Sequence, residues 1–290
     1  MSHRILITGA AGQLGRELQR TAPADLEVIA LTRESLDITS AEQVRALFAT
    51  TFPDLVINAA AYTAVDRAES EPEKAMAVNC DAAANLARAC AESGARMIHV
   101  STDFVFDGSA SSPYAPEAAT SPLGEYGRSK LAGELAVTAA LPDALLMRTA
   151  WVYSTFGGNF VKTMLRLMAE REELSVVADQ VGTPTWARGL AQALWQAVEL
   201  PDLVGTHHWT DAGVCSWYDF AVAIAEEAME LGLLEAMPTI HPIPGSAYPT
   251  PARRPAYSVL DKDSTWRALA TEGLHWRVQL RRMLQELKEL

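Results

Sequence analysis

Ile5-Leu6-Ile7-Thr8-Gly9-Ala10-Ala11-Gly12-Gln13-Leu14-Gly15 is the stretch whose reading decides the fold. A β-branched apolar run ends in glycines spaced GxxGxxG, and a helical pattern follows from Gly12 to Thr21. Strand, glycine turn and helix in that order form the setting in which a pyrophosphate is bound. A glycine lets the backbone turn sharply and approach the phosphates, and the helix start offers free N–H groups and a positive dipole end. Gly9, Gly12, Gln13, Leu14 and Gly15 are therefore the first candidate cofactor residues.

Outward from this turn, short apolar runs alternate with helical patterns. Strands are expected at Val28–Leu31, Leu55–Asn58, Arg96–Ser101 and Ala144–Arg148. Helices are expected at Ala41–Thr50, capped by Asp37 or Ser40, in segments across Pro72–Gly94, and at Gly127–Ala139. Strands apolar throughout and separated by helices imply an α/β fold, a Rossmann-type doubly wound parallel sheet covered on both faces. Beyond Trp151 the pattern loosens. Helices at Phe160–Arg171, Arg188–Leu200 and Ser216–Leu231 remain, with a short strand at His208-Trp209-Thr210 and a proline-rich loop from Pro242 to Pro255. Helices at Lys262–Thr271 and Arg277–Leu290 close the pattern. This half reads as a smaller mixed α/β C-terminal lobe. The expected division is a dinucleotide-binding domain over 1–150 and a substrate-binding lobe over 151–290, with segments of roughly 158–200 returning to the first domain.

The end of the second strand sorts the two nicotinamide cofactors. A carboxylate there binds a ribose 2′-hydroxyl, whereas an arginine favours a 2′-phosphate. Val28-Ile29-Ala30-Leu31 is followed by Thr32 and Arg33, which favours NADPH, while the adjacent Glu34 keeps NADH open. Asp37 and Ile38 are placed to meet the adenine edge.

Tyr126-Gly127-Arg128-Ser129-Lys130 is a YxxxK motif. Positions i and i+4 share one helix face, so the phenol and the ammonium can work together. A free tyrosine has a pKa of about 10, and a neighbouring Lys⁺ lowers it. The phenol then serves as a general acid for a carbonyl oxygen. Thr102 stands at the C-terminal end of a parallel strand, facing the crevice where such sheets bind ligands. Its hydroxyl can donate to a substrate carbonyl, whereas Ser101 points to the other side of the strand.

The bulk properties agree with a small-molecule enzyme. The 290 residues carry a formal net charge of -12, which argues against nucleic acid or an anionic membrane as partner. Cys80, Cys90 and Cys215 form no metal-ligand spacing, and their odd count fits a reducing compartment. The apolar run after Arg4 is too short for a secretion signal, and no stretch approaches the roughly 20 apolar residues of a membrane span. A cytoplasmic location is the expectation. His99 reads as core, His207-His208 lacks a third metal ligand, and Trp195, Trp209, Trp217, Trp266 and Trp276 read as core aromatics.

These motifs resemble the extended short-chain dehydrogenases/reductases, and among them the dTDP-4-dehydrorhamnose reductase family. The matching stretches include the Gly9–Gly15 loop, the block from Asn58 to Glu69, Ser101–Phe106, Tyr126–Lys130, Arg148–Tyr153, Gly158-Asn159-Phe160, Gly182–Thr185 and Arg254-Pro255. The resemblance implies hydride transfer to C4 of a nucleotide keto-sugar, with Tyr126 as proton donor, Lys130 also holding the nicotinamide ribose, and Thr102 in the usual Ser/Thr place. Ala59, Ala60, Ala61 and Tyr62 would line the cofactor. Val65, Asp103, Phe104, Trp151 and Asn159 would meet the substrate, and Arg254 would meet its diphosphate. Trp151 also fits a core aromatic, and Arg254 a loop pinned by an ion pair. Phe104 stands where the family often has Tyr, which removes one hydroxyl. Some family members dimerise around a divalent metal held by carboxylates. Glu17 matches one of these, but Trp186-Ala187-Arg188 stands where the others fall, so no metal is expected and a homodimer without a metal bridge stays open. Another nucleotide-sugar reductase or epimerase, or a non-catalytic NADP-binding regulatory subunit, are the competing readings.

Overall fold

The computed structural model describes residues 3–290, so Met1 and Ser2 lie outside it. Its first half follows the expected alternation: β1 (Arg4–Thr8), α1 (Gln13–Arg20), β2 (Glu27–Leu31), α2 (Ala41–Thr51) and β3 (Leu55–Asn58). Two short helices, α3 (Val65–Ala68) and α4 (Pro72–Met76), precede α5 (Ala82–Ser93) and β4 (Arg96–Thr102). Then come α6 (Glu125–Ala140) and β5 (Leu145–Thr149). Ser40, not Asp37, caps α2 by accepting from the Gln43 N–H, while Asp37 accepts from the N–H and hydroxyl of Thr39. The helical stretch expected over Pro72–Gly94 is interrupted by a π-helical turn at Ala77–Asp81. Such a turn leaves no mark in hydrophobic periodicity.

Six parallel strands form the central sheet. The order starts at β10 (Gly205–His208), next to β5, and continues β4, β3, β1, β2. The strand expected at His208-Trp209-Thr210 therefore begins three residues earlier and belongs to the main sheet, pairing with β5 from Gly205 to His208. Trp209 follows the strand and is buried against the sheet's core. β1 sits between β2 and β3, so the chain reverses its direction of travel across the sheet there. Crevices open at the C-terminal ends of strands flanking such a reversal, which puts the glycine turn after β1 and the Ala59–Tyr62 segment after β3 side by side.

The later elements are β6 (Val152–Tyr153), α7 (Phe160–Glu170), β7 (Glu173–Val177), β8 (Val181–Gly182), β9 (Thr185–Trp186) and α8 (Ala187–Val198). After β10 follow β11 (Cys215–Ser216), α9 (Trp217–Glu230), β12 (Thr239–Ile243), α10 (Asp263–Leu269) and α11 (Trp276–Glu289). β7 and β12 form a parallel pair that the sequence pattern did not reveal. β12 is largely exposed and contains Pro242, which suits an edge strand rather than the loop expected from Pro242 onward.

Two faces of the sheet are covered by separate cores. Leu190, Leu194 and Trp195 of α8 join Leu14 and Leu18 of α1 on one face. Val44 and Phe48 of α2, Leu86 and Cys90 of α5 and Val137 of α6 close the other. A third core, with Val161, Phe220, Ile224, Leu280 and Leu284, holds α7, α9 and α11 together. Residues 158–200 thus divide between the third core, through α7, and the sheet, through α8.

Candidate active site

A cleft of about 860 Å³ runs along the C-terminal ends of β1–β5. Its floor is the glycine turn. Gly9 adopts φ +71°, and a Cβ there would lie 2.6 Å from the Ala60 nitrogen. A Cβ on Gly15 would lie 2.3 Å from the Gly9 carbonyl oxygen, so only glycine lets α1 approach the turn this closely. Gly12 is the N-cap of α1, with no side-chain cap and no acidic residue in the first turn. The helix start therefore keeps its N–H groups and positive field for an anion. Gln13 and Leu14 line the same wall.

Past the end of β2, Arg33, Asp37 and Ile38 line one end of the cleft. Arg33 has no carboxylate within ion-pair distance among the described residues. Asp37 is held below the usual carboxylate range by its hydrogen bonds from Thr39. Across the sheet, Ala59, Ala60, Ala61 and Tyr62 line the facing wall. The Tyr62 hydroxyl donates to Glu71 at 2.6 Å, which raises the phenol and drops the Glu71 carboxyl to about 2.

Tyr126 and Lys130 sit one turn apart on α6, whose first N–H, that of Glu125, donates to the Glu69 carboxylate at 2.8 Å. Lys130 is 2% exposed, and its ammonium donates to the Val100 carbonyl at 2.7 Å. Burial draws its pKa down to about 8, against the pull of Glu134. Burial also pushes the Tyr126 phenol up to about 12, a rise that the Thr102 hydroxyl beside it opposes. The lowering expected from Lys⁺ is therefore not seen in the free enzyme, where desolvation dominates. The phenol is protonated at neutral pH, the state a general acid needs. The Thr102 hydroxyl also meets Asp103 at 3.1 Å, and the buried Asp103 carboxyl is pushed up to about 6. The Phe104 ring packs edge-on against Tyr126 at 5.5 Å between centroids.

The wall opposite the sheet comes from the later elements. Trp151 adopts φ +48°, and its indole stacks on Trp217 with centroids 3.5 Å apart and planes 6° apart. A Cβ on Gly182 would lie 2.6 Å from the Trp151 ring, which limits where that ring can go. Trp217 is half-buried: it packs against the third core, as expected of a core aromatic, and also lines the cleft, while Trp195, Trp209 and Trp276 are buried. Val65 and Arg254 line the mouth, where Arg254 is gripped by Asp66 through two hydrogen bonds.

Asn159 lines the cleft, but its amide is largely taken up. It donates to Gln13 and to the Ser154 carbonyl, and it caps α7 by accepting from the Lys162 N–H. His99 is buried and bonds Asn58, itself tied to Thr8, across three central strands. Glu17 is fully buried, accepting from Ser154 at 2.8 Å and from Arg188 at 3.2 Å, with Arg20 at 3.6 Å. Its two guanidinium partners are shared with Glu286, and burial still raises the Glu17 carboxyl above its ordinary value. Among the described residues, no three His, Cys, Asp or Glu side chains are grouped to hold a metal, and no helix is long and apolar enough to cross a membrane.

The structure thus brings every candidate site residue to one cleft except Gly15, which packs against the backbone of the glycine turn. Trp217 and the Asp66 and Glu69 supports were not visible in the sequence, because each acts through a partner distant along the chain.

A glycine-turn Rossmann sheet with Tyr126, Lys130 and Thr102 together in the cleft at its strand ends defines a short-chain dehydrogenase/reductase. A family model described as the RmlD substrate binding domain matches residues 3–289. The dTDP-4-dehydrorhamnose reductase of Escherichia coli (strain K12) is 43% identical over 98% of this chain and 97% of its own length. A crystal structure of a dTDP-4-dehydrorhamnose reductase from Clostridium acetobutylicum superposes with a TM-score of 0.93 at 40% identity, covering 98% of this chain and 99% of that one. Another from Bacillus anthracis, in complex with NADP, gives a TM-score of 0.93 at 36% identity over 99% of this chain and all of that one. The chain belongs to the dTDP-4-dehydrorhamnose reductase family, a family of oxidoreductases.

Proposed function

We propose that this protein reduces the C4 keto group of dTDP-4-dehydro-L-rhamnose to give dTDP-L-rhamnose, using NADPH and Tyr126 as general acid. The observation that carries this reading is the Tyr126–Lys130–Thr102 group, with Lys130 and Thr102 buried and the Tyr126 ring open to the cleft, at one end of a cleft whose other features suit a dinucleotide. The cradle fits the cofactor: the uncapped α1 start takes the pyrophosphate, and a Cβ at Gly9 or Gly15 would close the turn. Arg33, without an acidic partner, takes the 2′-phosphate, with Asp37 and Ile38 at the adenine end and Ala59–Tyr62 along the opposite wall.

When bound, NADPH supplies a hydride to C4 of the sugar. Thr102 donates a hydrogen bond to the C4 carbonyl oxygen and orients it toward the phenol. Tyr126 gives its proton to that oxygen as negative charge develops there. Lys130, held by the Val100 carbonyl, keeps a positive charge near the resulting phenolate and binds the ribose. Trp151 and Trp217 exclude water from the sugar, with Val65, Asp103 and Phe104 around it. Three of the five Arg254 N–H groups bond Asp66 and the Ala252 carbonyl, which leaves two for the substrate diphosphate. On this reading residues 1–150 hold the cofactor, and 151–290 contribute the substrate wall.

A panel of dTDP-, UDP- and GDP-linked 4-keto-sugars, assayed with NADPH and NADH, tests this. Net oxidation of NADPH, fastest with dTDP-4-dehydrorhamnose, is expected. Sugar isomerisation without net cofactor turnover shows an epimerase instead, and cofactor binding without turnover shows a regulatory subunit.

A further inference from the structure

Glu134 lies one turn beyond Lys130 on α6, so Tyr126, Lys130 and Glu134 recur at every fourth residue along one helix face. Neither Glu134 nor its partner Arg148 lines the cleft, and they are 3% and 5% exposed. Arg148, on β5 opposite Ser101 of β4, grips the carboxylate with a fork: Nε donates to Oε1 at 2.9 Å and Nη2 to Oε2 at 2.7 Å. Nη1 donates to the Pro116 carbonyl at 3.1 Å, and the guanidinium lies over the Phe106 ring, 5.2 Å from its centroid. Both carboxylate oxygens and all three guanidinium nitrogens are thus engaged. Lys130, by contrast, has no carboxylate within ion-pair distance among the described residues. Its bond to the Val100 carbonyl leaves two of its three N–H groups for the cleft.

A glutamate four residues after a lysine can reach it on a helix. Unclamped, Glu134 would pair with Lys130 directly and turn the ammonium away from Tyr126 and the ribose. Clamped, it acts on Lys130 through its charge alone, against the effect of burial. The pair also has a direction: Glu134 acts on Lys130, whereas the charge of Arg148 is felt by His208 of β10, beyond β5. The other ionisable groups about Lys130 are Tyr126 on its own helix and His99 on β4. His99 stays uncharged, because burial and then Lys130 itself hold its pKa well below the usual range. An ion pair this deep adds little stability over apolar side chains of similar volume. What apolar side chains cannot supply is a fixed negative charge beside a free ammonium. We infer that Glu134, clamped by Arg148, is a positioning residue for the reduction, keeping a negative charge beside Lys130 while leaving the ammonium free for Tyr126 and the cofactor ribose; this rests on the reductase reading above.

The test compares Glu134→Gln, Arg148→Met and the double variant Glu134→Leu with Arg148→Met, which replaces the pair by apolar side chains of similar size. The readout is the pH at which kcat/KM for NADPH falls on the alkaline side, with rates expressed per NADPH-binding site. Loss of the carboxylate charge in Glu134→Gln and in the double variant should move that limb about one pH unit lower, the scale of a partly compensated charge a few ångströms away. Arg148→Met frees Glu134 to pair with Lys130. It should move the limb higher and lower turnover per site about 10-fold, as the ammonium is drawn from the reacting groups. A pair that only stabilises the fold would lower activity at every pH and leave the limb in place. An unmoved limb in either single variant, or shifts of the same sign in both, overturns the assignment. Where a single variant does not fold, the double variant takes its place, and an unmoved limb there overturns it. An inactive parent enzyme refutes the reductase reading, and with it this role, whereas an active parent whose limb ignores these substitutions refutes only the role of Glu134.

Discussion

Arg254 and Asp66, 188 residues apart, form a two-pronged ion pair at the mouth of the cleft, with N···O distances of 3.1 and 2.8 Å. The pair joins the proline-rich loop before Pro255 to α3, and it holds the Asp66 carboxyl below the usual carboxylate range. Both structural options for Arg254, ion-paired loop and diphosphate ligand, are served by one orientation of the guanidinium. Arg254→Lys keeps the charge but loses the fork. The expected outcome is a KM for the nucleotide sugar raised about tenfold, an effect of about 1.4 kcal/mol, with the NADPH Kd unchanged. Steady-state kinetics with each substrate varied in turn check this.

The Trp151–Trp217 stack leads to a paired expectation. Trp217→Ala removes the partner ring and should raise the KM for the sugar nucleotide several-fold. The lost aromatic pairing should lower stability by about 0.5–1.5 kcal/mol beyond the effect of area. Gly182→Ala keeps both aromatic side chains but displaces the Trp151 ring, since the new Cβ would lie 2.6 Å from the indole. It should raise the same KM. Thermal melts and sugar-nucleotide titrations separate the two effects.

The Lys130 ammonium, with its pKa drawn down to about 8, gives the free enzyme a pH limit on the alkaline side. Above that value the lysine is neutral and cannot assist Tyr126 or the ribose. The value of kcat/KM for NADPH, which reports the free enzyme, should therefore fall as pH rises through about 8. Tyr126, pushed up to about 12, adds no limb in the neutral range. Lys130→Arg should be slower at all pH values but should lose the limb, because the guanidinium stays charged. The pH–rate profiles of both proteins decide it.

Asp211 makes the fold itself pH-dependent. Its carboxyl is 0% exposed; Oδ2 accepts from the Trp186 N–H at 2.9 Å, and Oδ1 has no partner among the described residues. Burial pushes its pKa from 3.8 up to about 8. A folded pKa above the unfolded one means the folded state binds the proton more tightly, so this stabilisation is complete below 3.8 and is lost as pH rises through about 8. The steepest slope approaches about 1.4 kcal/mol per pH unit. Asp211→Asn keeps the acceptor for Trp186 and adds no charge. Denaturant midpoints measured from pH 5 to 9 should show a flatter profile for the variant and greater stability at the alkaline end.

Much of this site could be read from spacing alone, because its chemistry is local. The Gly9–Gly15 turn and the Tyr126–Lys130 pair each lie within one strand–turn–helix or one helical turn, where sequence distance equals spatial distance. The remainder depends on contacts made only after folding. Glu69 caps α6 from 56 residues away. Trp217 looked like the start of an amphipathic helix, and only the chain's return past Trp151 makes it a wall of the cleft. The strand Gly205–His208 is polar at its start and gains its place from pairing with β5, not from its own pattern. The expected fall in the Tyr126 pKa failed for a similar reason, since motif spacing shows the lysine but not the depth of burial that opposes it.

The central claim is that the Tyr126 phenol delivers the proton to the reduced carbonyl. Tyr126→Phe preserves the ring that packs against Phe104 and removes only the hydroxyl. Single-turnover reduction of dTDP-4-dehydrorhamnose by NADPH, with NADPH affinity measured on the same protein, tests this most directly. Turnover is expected to fall about 10²–10⁴-fold with the NADPH Kd nearly unchanged. Turnover near that of the parent enzyme would contradict it.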